Sequence, residues 1–194
     1  IAALNPHVKV DAHHMRIVAG NALALIGGYD IVVDGSDNFA TRYLVSDACY
    51  LAKRTLVYAA VGPFDGYLST FKPHLKDCQD KPYPSYRCLF PEPSSEIPNC
   101  ATAGVLGVLP GVLGTLQATE AIKLIIGIGS PLIGRLLTYD ALDLSFREFA
   151  FKRRPDCAVC GDSPTITAPT DADRPPGEVR TVSPRELRAL LRET

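Results

Sequence analysis

Ile31-Val32-Val33-Asp34-Gly35-Ser36-Asp37-Asn38-Phe39-Ala40-Thr41-Arg42 is the stretch on which the reading of this chain turns. Its first three residues are β-branched and apolar, the pattern of a short buried strand. An acid closes that strand, Gly-Ser turns the chain, and a second acid stands before a helical pattern that begins at about Asn38. Asp37 or Ser36 is the expected cap of that helix. In open α/β sheets, ligands lie just beyond the carboxyl ends of strands. An acid placed there is sited to hold Mg2+ or a nucleotide. The same two acids can equally do no more than finish a strand and cap a helix.

Working outward, residues 8–12 alternate apolar and polar and predict a strand, and residues 21–26 predict a short helix stopped by Gly27-Gly28. His13 and His14, adjacent and so pointing apart, are expected to be surface or satisfied histidines. Residues 38–53 predict a helix with Leu44, Ala48 and Leu51 on one face, and residues 55–61 a second β-branched strand. Strand–helix–strand–helix–strand without interruption predicts an α/β, Rossmann-like fold, a mostly parallel sheet with helices on both faces. After Gly62-Pro63 the pattern changes. Residues 66–72 alternate and predict an antiparallel strand at or beyond the sheet edge. Residues 73–103 carry six prolines, no periodicity and three of the six cysteines, which marks a functional loop. Residues 103–126 are Gly- and Ala-rich and helical, interrupted at Pro110. They carry no charge from 111 to 118, so this helix is expected to be buried all round, in a core or against a second subunit. Strands at 133–139 and 144–151 form an antiparallel extension that leads to a Cys-x-x-Cys pair. Residues 162–178 have linker composition. A short strand at 179–182 and the capped helix start Ser183-Pro184-Arg185-Glu186 read as the opening of a second domain, cut off.

The 194 residues, 46% of them hydrophobic, suffice for one α/β domain with an appendage. Net charge is −1 and lysine and arginine are scattered, so neither nucleic acid nor a membrane surface is an expected partner. The longest apolar run, 105–118, is broken by Pro110 and followed by Glu120 and Lys123, too short and too interrupted for a membrane span. No leader is visible at Ile1-Ala2-Ala3-Leu4-Asn5-Pro6, and one tight Cys-x-x-Cys argues against a disulfide framework, so the expected compartment is reducing and cytoplasmic. The one methionine is Met15, and residues 1–4 read as the last turn of a helix ended by Asn5-Pro6, which points to a preceding segment.

Cys157-Ala158-Val159-Cys160-Gly161 has the form of a zinc knuckle: one tight turn presents both sulfurs to one metal, and the glycine relieves the turn. The matching half is Ser85-Tyr86-Arg87-Cys88, with serine at the first ligand position, so Cys88, Cys157 and Cys160 are three thiolates in zinc spacing. A structural zinc takes four ligands. Cys78 or a water could complete the set, the site could have decayed, or the three could be plain buried cysteines like Cys49. Cys100 ends the Pro-rich loop just before a helix, where a thiol can be a low-pKa nucleophile or a small buried hydrophobe. Gly104-x-x-Gly107 and Gly127-x-Gly129 do not follow strands, so neither is a phosphate loop.

Taken together, residues 33–42, Tyr86-Arg87-Cys88-Leu89-Phe90-Pro91-Glu92-Pro93, Gly114-Thr115-Leu116-Gln117-Ala118-Thr119-Glu120-Ala121-Ile122-Lys123 and the 157–161 knuckle resemble the MoeB/ThiF adenylyltransferases, relatives of the ubiquitin-activating enzymes. The resemblance covers residues 1–161, one domain. Residues 162–178 would be the linker, and 179–194 resemble the start of the rhodanese domain fused to some members. It implies an enzyme that uses ATP and Mg2+ to adenylylate the C-terminal glycine of a ubiquitin-like sulfur carrier, for molybdopterin, thiamine, cysteine or tRNA thiolation. By position, Asp37 would be catalytic and bind Mg2+ or the phosphates, and Asn38 would lie beside the nucleotide. Cys100 would take the activated acyl group or sulfur, and Cys88, Cys157 and Cys160 would be Zn2+ ligands. The helix at 111–123 would help form a homodimer. Two departures stand out. Ser85 replaces a fourth zinc cysteine, which leaves zinc binding open. The family's glycine-rich first strand–turn–helix, with its Arg and Lys, would precede Ile1, so the chain by itself is not expected to catalyse adenylylation. The alternatives are a non-catalytic carrier-binding module, or a NAD- or SAM-dependent enzyme, which would need a Gly-rich turn after its first strand.

Overall fold

The three β-branched residues at 31–33 do start the sheet. In the computed structural model, which describes residues 1–92 and 104–171, α1 (Ala19–Gly27) leads into β1 (Ile31–Asp34), and α2 (Phe39–Leu51) crosses over to β2 (Thr55–Val61), which pairs with β1 in parallel. The cap of α2 falls on Asn38 rather than on Asp37 or Ser36. Its backbone is extended, and its Oδ1 accepts from the Thr41 N–H at 2.8 Å.

From β2 the chain reverses. The Gly62 N–H donates to the Asp65 carbonyl at 2.8 Å, and β3 (Asp65–Phe71) runs antiparallel to β2. After α3 (Tyr86–Leu89) and α4 (Leu109–Ile126), β4 (Arg135–Asp140) pairs with β3 and β5 (Ser145–Ala150) with β4, both antiparallel. Strand order is β1-β2-β3-β4-β5. The α/β class with helices on both faces is what the sequence predicts, but the described sheet is mixed rather than mostly parallel: one ladder is parallel and three are antiparallel. Connections as short as 62–64 and 141–144 can only make hairpins, because a parallel return needs a crossover of a dozen residues or more. β3 is therefore an interior strand and not an edge. The alternating residues 8–12 form no strand. They lie exposed with no ladder beside them among the described residues, and alternation makes a strand only where a partner takes its backbone hydrogen bonds.

Successive side chains of β2 supply two cores, since neighbours on a strand face opposite ways. Leu56, Tyr58 and Ala60 join Tyr43, Leu44, Phe71 and Tyr86 under α1 and α2. Val57 and Ala59 join Leu68, Leu109, Leu113 and Tyr139 under α4. Pro110 sits in the first turn of α4, where the missing N–H costs nothing, so it starts the helix instead of interrupting it. Gly127, at φ 68°, ends it in the left-handed conformation that favours glycine. α4 buries Leu109, Leu113, Gln117 and Glu120, one stripe at helical spacing. Its other side, with Gly111, Thr115, Ala118, Ile122 and Ile125, is exposed, so the helix is not buried all round in this chain. By length and composition alone it is apolar enough to cross a membrane, contrary to expectation; its polar buried groups and its contacts place it across β2 and β3. It comes down close because β3 carries Gly66 there: a Cβ at 66 would lie 2.5 Å from Leu113 Cδ2.

Glu120 clamps the helix to the sheet. Its Oε2 accepts from Thr70 Oγ1 at 2.9 Å and from the Leu132 N–H at 2.8 Å, and Lys123 pairs with its Oε1. Removing a buried, paired carboxylate leaves three donors without their acceptor. Glu120→Ala should lower the unfolding free energy by about 3 kcal/mol, and Lys123→Ala, on the more exposed partner, by about 1 kcal/mol. Urea unfolding of both variants measures the difference; equal losses would mean the clamp is not centred on Glu120.

Candidate functional site

Because β1 and β2 are parallel, their carboxyl ends open on the same side. A cavity of about 400 Å³ lies there. Gly35, Ser36 and Asp37 line it from the end of β1, Ala59, Ala60 and Val61 from β2, and Pro110, Leu113, Gly114 and Gln117 from α4, with Arg42 and Val105 completing the wall. Its volume suits a small-molecule ligand. Asp37 is exposed at this cavity, and its Oδ1 accepts from Asn38 Nδ2 at 3.2 Å. Asn38 is thus doubly engaged, steadying Asp37 with its amide nitrogen while its oxygen caps α2.

Three buried polar groups hold the frame. Asp34 Oδ1 accepts from the Ser36 N–H at 2.9 Å, bending the chain away from the strand, while its Oδ2 is buried without a partner among the described residues. Burial pushes the Asp34 carboxyl above the usual range, and the Ser36 hydrogen bonds and the Arg42 charge offset only part of that. Arg42, one turn into α2, donates from Nε and Nη2 to the Ser36 carbonyl at 3.3 and 3.2 Å and lies over the Phe39 ring. Gln117 Nε2 donates to the carbonyls of Asp34 at 2.7 Å and Val57 at 3.0 Å. It joins the helix to the strand ends that floor the cavity.

The second constellation lies at the far end of α2. α3 brings up Cys88, and the chain after β5 brings up Cys157 and Cys160. All three are buried, with sulfurs within 4.8 Å of one another; Cys88 and Cys160 Sγ are 3.4 Å apart. Four ligands about a zinc with Zn–S of 2.3 Å would set sulfurs about 3.8 Å apart, so these residues fit such an ion with small adjustments. Hydrogen bonding with Cys160 and Cys88 pushes the Cys157 thiol well below its ordinary value, and the same pairing pushes Cys160 up. The knuckle requires its glycine: a Cβ at Gly161 would lie 2.4 Å from the Cys157 carbonyl oxygen and 2.5 Å from that of Pro155.

Of the residues singled out in the sequence, Asp37 and Asn38 come together at the cavity and Cys88, Cys157 and Cys160 at the cluster. Cys78 is exposed and apart from the cluster, so it does not complete it. Cys49 is buried, as a core residue should be, and burial pushes its thiol up. Cys100, residues 172–178 of the expected linker and residues 179–194 lie outside the described residues. Sequence reasoning assigned no role to Arg42 or Gln117. The available signal was a charge one turn into the helix that follows the first strand, and an amide two turns into the later, largely apolar helix.

These features define a Rossmann-type α/β domain with a cysteine knuckle appended. In fold it is similar to Escherichia coli MccB, at a TM-score of 0.63 and 18% identity over 82% of this chain and 48% of that one. Residues 1–159 match the ThiF family, and the chain belongs to it. It is 51% identical to a sulfur carrier protein adenylyltransferase of Thermus thermophilus over 85% of this chain and 61% of that protein. It is 45% identical to the SAMP-activating enzyme E1 of Haloferax volcanii, over 84% of this chain and 58% of that protein. With a probable adenylyltransferase/sulfurtransferase MoeZ of Mycobacterium tuberculosis it shares 40% identity, over 98% of this chain and 50% of that protein. The chain thus spans roughly half to three fifths of the length of these relatives.

The orphaned carboxylate has a consequence for stability. A carboxyl whose folded-state pKa is raised is costly once ionised: the cost is absent at low pH and grows as pH rises from about 4 through the raised value. Asp34→Asn keeps the acceptor for the Ser36 N–H and removes the charge. Its unfolding midpoint should gain on the parent protein progressively between pH 4 and pH 7; a gain independent of pH would show that Asp34 carries no such cost.

Proposed function

We propose that this chain is the greater part of the adenylylating domain of an enzyme that activates the C-terminal glycine of a ubiquitin-like sulfur carrier with ATP. The observation that carries the reading is Asp37, an exposed carboxylate steadied by Asn38 at a cavity beyond the carboxyl ends of two parallel strands, in a chain half identical to a sulfur carrier protein adenylyltransferase. The reaction joins a carboxylate to the α-phosphate of ATP with pyrophosphate leaving, so two anions must approach one another. Asp37 would hold Mg2+, which supplies the charge that makes this approach possible. Arg42, buried in the cavity wall, adds a fixed positive charge, and Asn38 and Gln117 hold the backbone around it. Cys100 would accept the activated acyl group or sulfur in a later step. Cys88, Cys157 and Cys160 would hold a Zn2+ that ties the antiparallel extension to α3. The exposed apolar side of α4 would meet a second copy of the chain. Residues 162–178 would link this domain to a rhodanese unit beginning near 179. Three closely spaced reduced thiols fit the cytoplasm.

In the full-length protein, Asp37→Ala should reduce carrier-dependent ATP–pyrophosphate exchange by roughly 10²-fold or more, while its unfolding free energy stays within about 0.5 kcal/mol of the parent, the side chain being exposed. Cys100→Ala should leave exchange intact and lose the later sulfur transfer. Parent protein that binds a carrier yet shows no exchange would identify a carrier-binding module instead.

A further inference from the structure

Ser85 occupies the N-cap position of α3, where a serine ordinarily turns its hydroxyl back to accept from the helix's own N–H groups. Here the side chain makes no such bond. It is 1% exposed, and its Oγ points into the cysteine cluster, 3.2 Å from Cys157 Sγ, 3.2 Å from Cys160 Sγ and 3.6 Å from Cys88 Sγ. For a tetrahedral zinc with Zn–S of 2.3 Å and Zn–O of 2.0 Å, the sulfur–oxygen edges would be about 3.5 Å. The observed edges bracket that length, and the oxygen caps the face of the sulfur triangle that lacks a ligand. Charge points the same way. Three thiolates on a divalent ion leave one net negative charge, and a neutral hydroxyl adds none, so a buried site of this composition is easier to desolvate than four thiolates. The Arg154 N–H, 3.4 Å from Cys88 Sγ, supplies an outer hydrogen bond of the kind that steadies a metal-bound thiolate.

We propose that Ser85 is itself a metal ligand, its hydroxyl oxygen being the fourth donor of a three-thiolate, one-oxygen zinc site, with neither Cys78 nor a water in that corner. The proposal rests on the cluster binding zinc and is independent of carrier activation. Its test reads metal content and optical spectra rather than activity, so the two readings fail separately. The purified protein, Ser85→Ala and Ser85→Cys are compared by zinc stoichiometry, by zinc retention against a chelator, and by the absorption of the cobalt-substituted forms. The parent should bind one zinc. Ser85→Ala should bind at least about tenfold more weakly, with an altered cobalt ligand-field spectrum. Ser85→Cys should bind more tightly, and its thiolate-to-cobalt absorption should rise by about a third, four thiolates replacing three. Circular dichroism of each variant confirms that it is folded. Unchanged affinity and spectrum in Ser85→Ala would overturn the proposal, as would a parent protein that takes up no zinc.

Discussion

The ion pair between Arg87 and the buried Asp47 is the contact that seats the cysteine cluster on the helix that also shapes the cavity. Arg87 Nη2 and Nε donate to the two carboxylate oxygens of Asp47 at 2.7 and 2.8 Å, and its guanidinium lies 4.6 Å from the Tyr43 ring centroid. α3, which presents Ser85 and Cys88, is four residues long and has no stability of its own. It is held in place by α2, through Asp47 and through Tyr43, whose hydroxyl donates to the Phe90 carbonyl at 3.1 Å. α2 in turn begins at Asn38 and carries Arg42 into the cavity. One helix therefore organises the cavity with its first turn and the cysteine cluster with its middle. Breaking such a pair by removing one partner costs about 3–5 kcal/mol, because the remaining charge stays buried.

The cavity is shaped by the same economy. The end of β1 is bent by one acceptor, Asp34 Oδ1, and the resulting turn presents the Ser36 carbonyl to Arg42. Gln117 then satisfies two strand carbonyls from the helix above. Polar groups that would be costly if left alone in the interior satisfy one another around an open space. Among the described residues the exceptions here are Asp34 Oδ2 and Ser36 Oγ, both buried without a partner at the turn that leads to Asp37.

Much of this was legible in the sequence where the physics is local. Strand 31–33 announced itself through consecutive β-branched residues, strand 55–61 through an unbroken apolar run enriched in them, and the knuckle through the spacing of Cys157 and Cys160 before a glycine. The antiparallel direction of residues 66–72 was legible; their place inside the sheet was not, because alternation is the same for an edge strand and an interior one, and the strand that covers their other side, β4, comes much later in the chain. The two-sided character of α4 was hidden for a related reason: Gly111 to Ala118 shows no charge on either side, so composition alone could not say which face meets the sheet. Arg42 and Gln117 escaped notice because a single buried polar residue leaves no periodic trace. Ser85 was visible only as a departure from a pattern, and what the departure does required knowing where its hydroxyl turns.

The close seating of α4 on Gly66 has a reach beyond stability. Pro110, Leu113, Gly114 and Gln117 form one wall of the cavity, and the distance of that wall from the strand ends is set where Leu113 meets β3. Gly66 itself does not line the cavity. The seating of that wall is thus set by the absence of a side chain one strand away, and a residue that lines no part of the cavity can shift Leu113, which does.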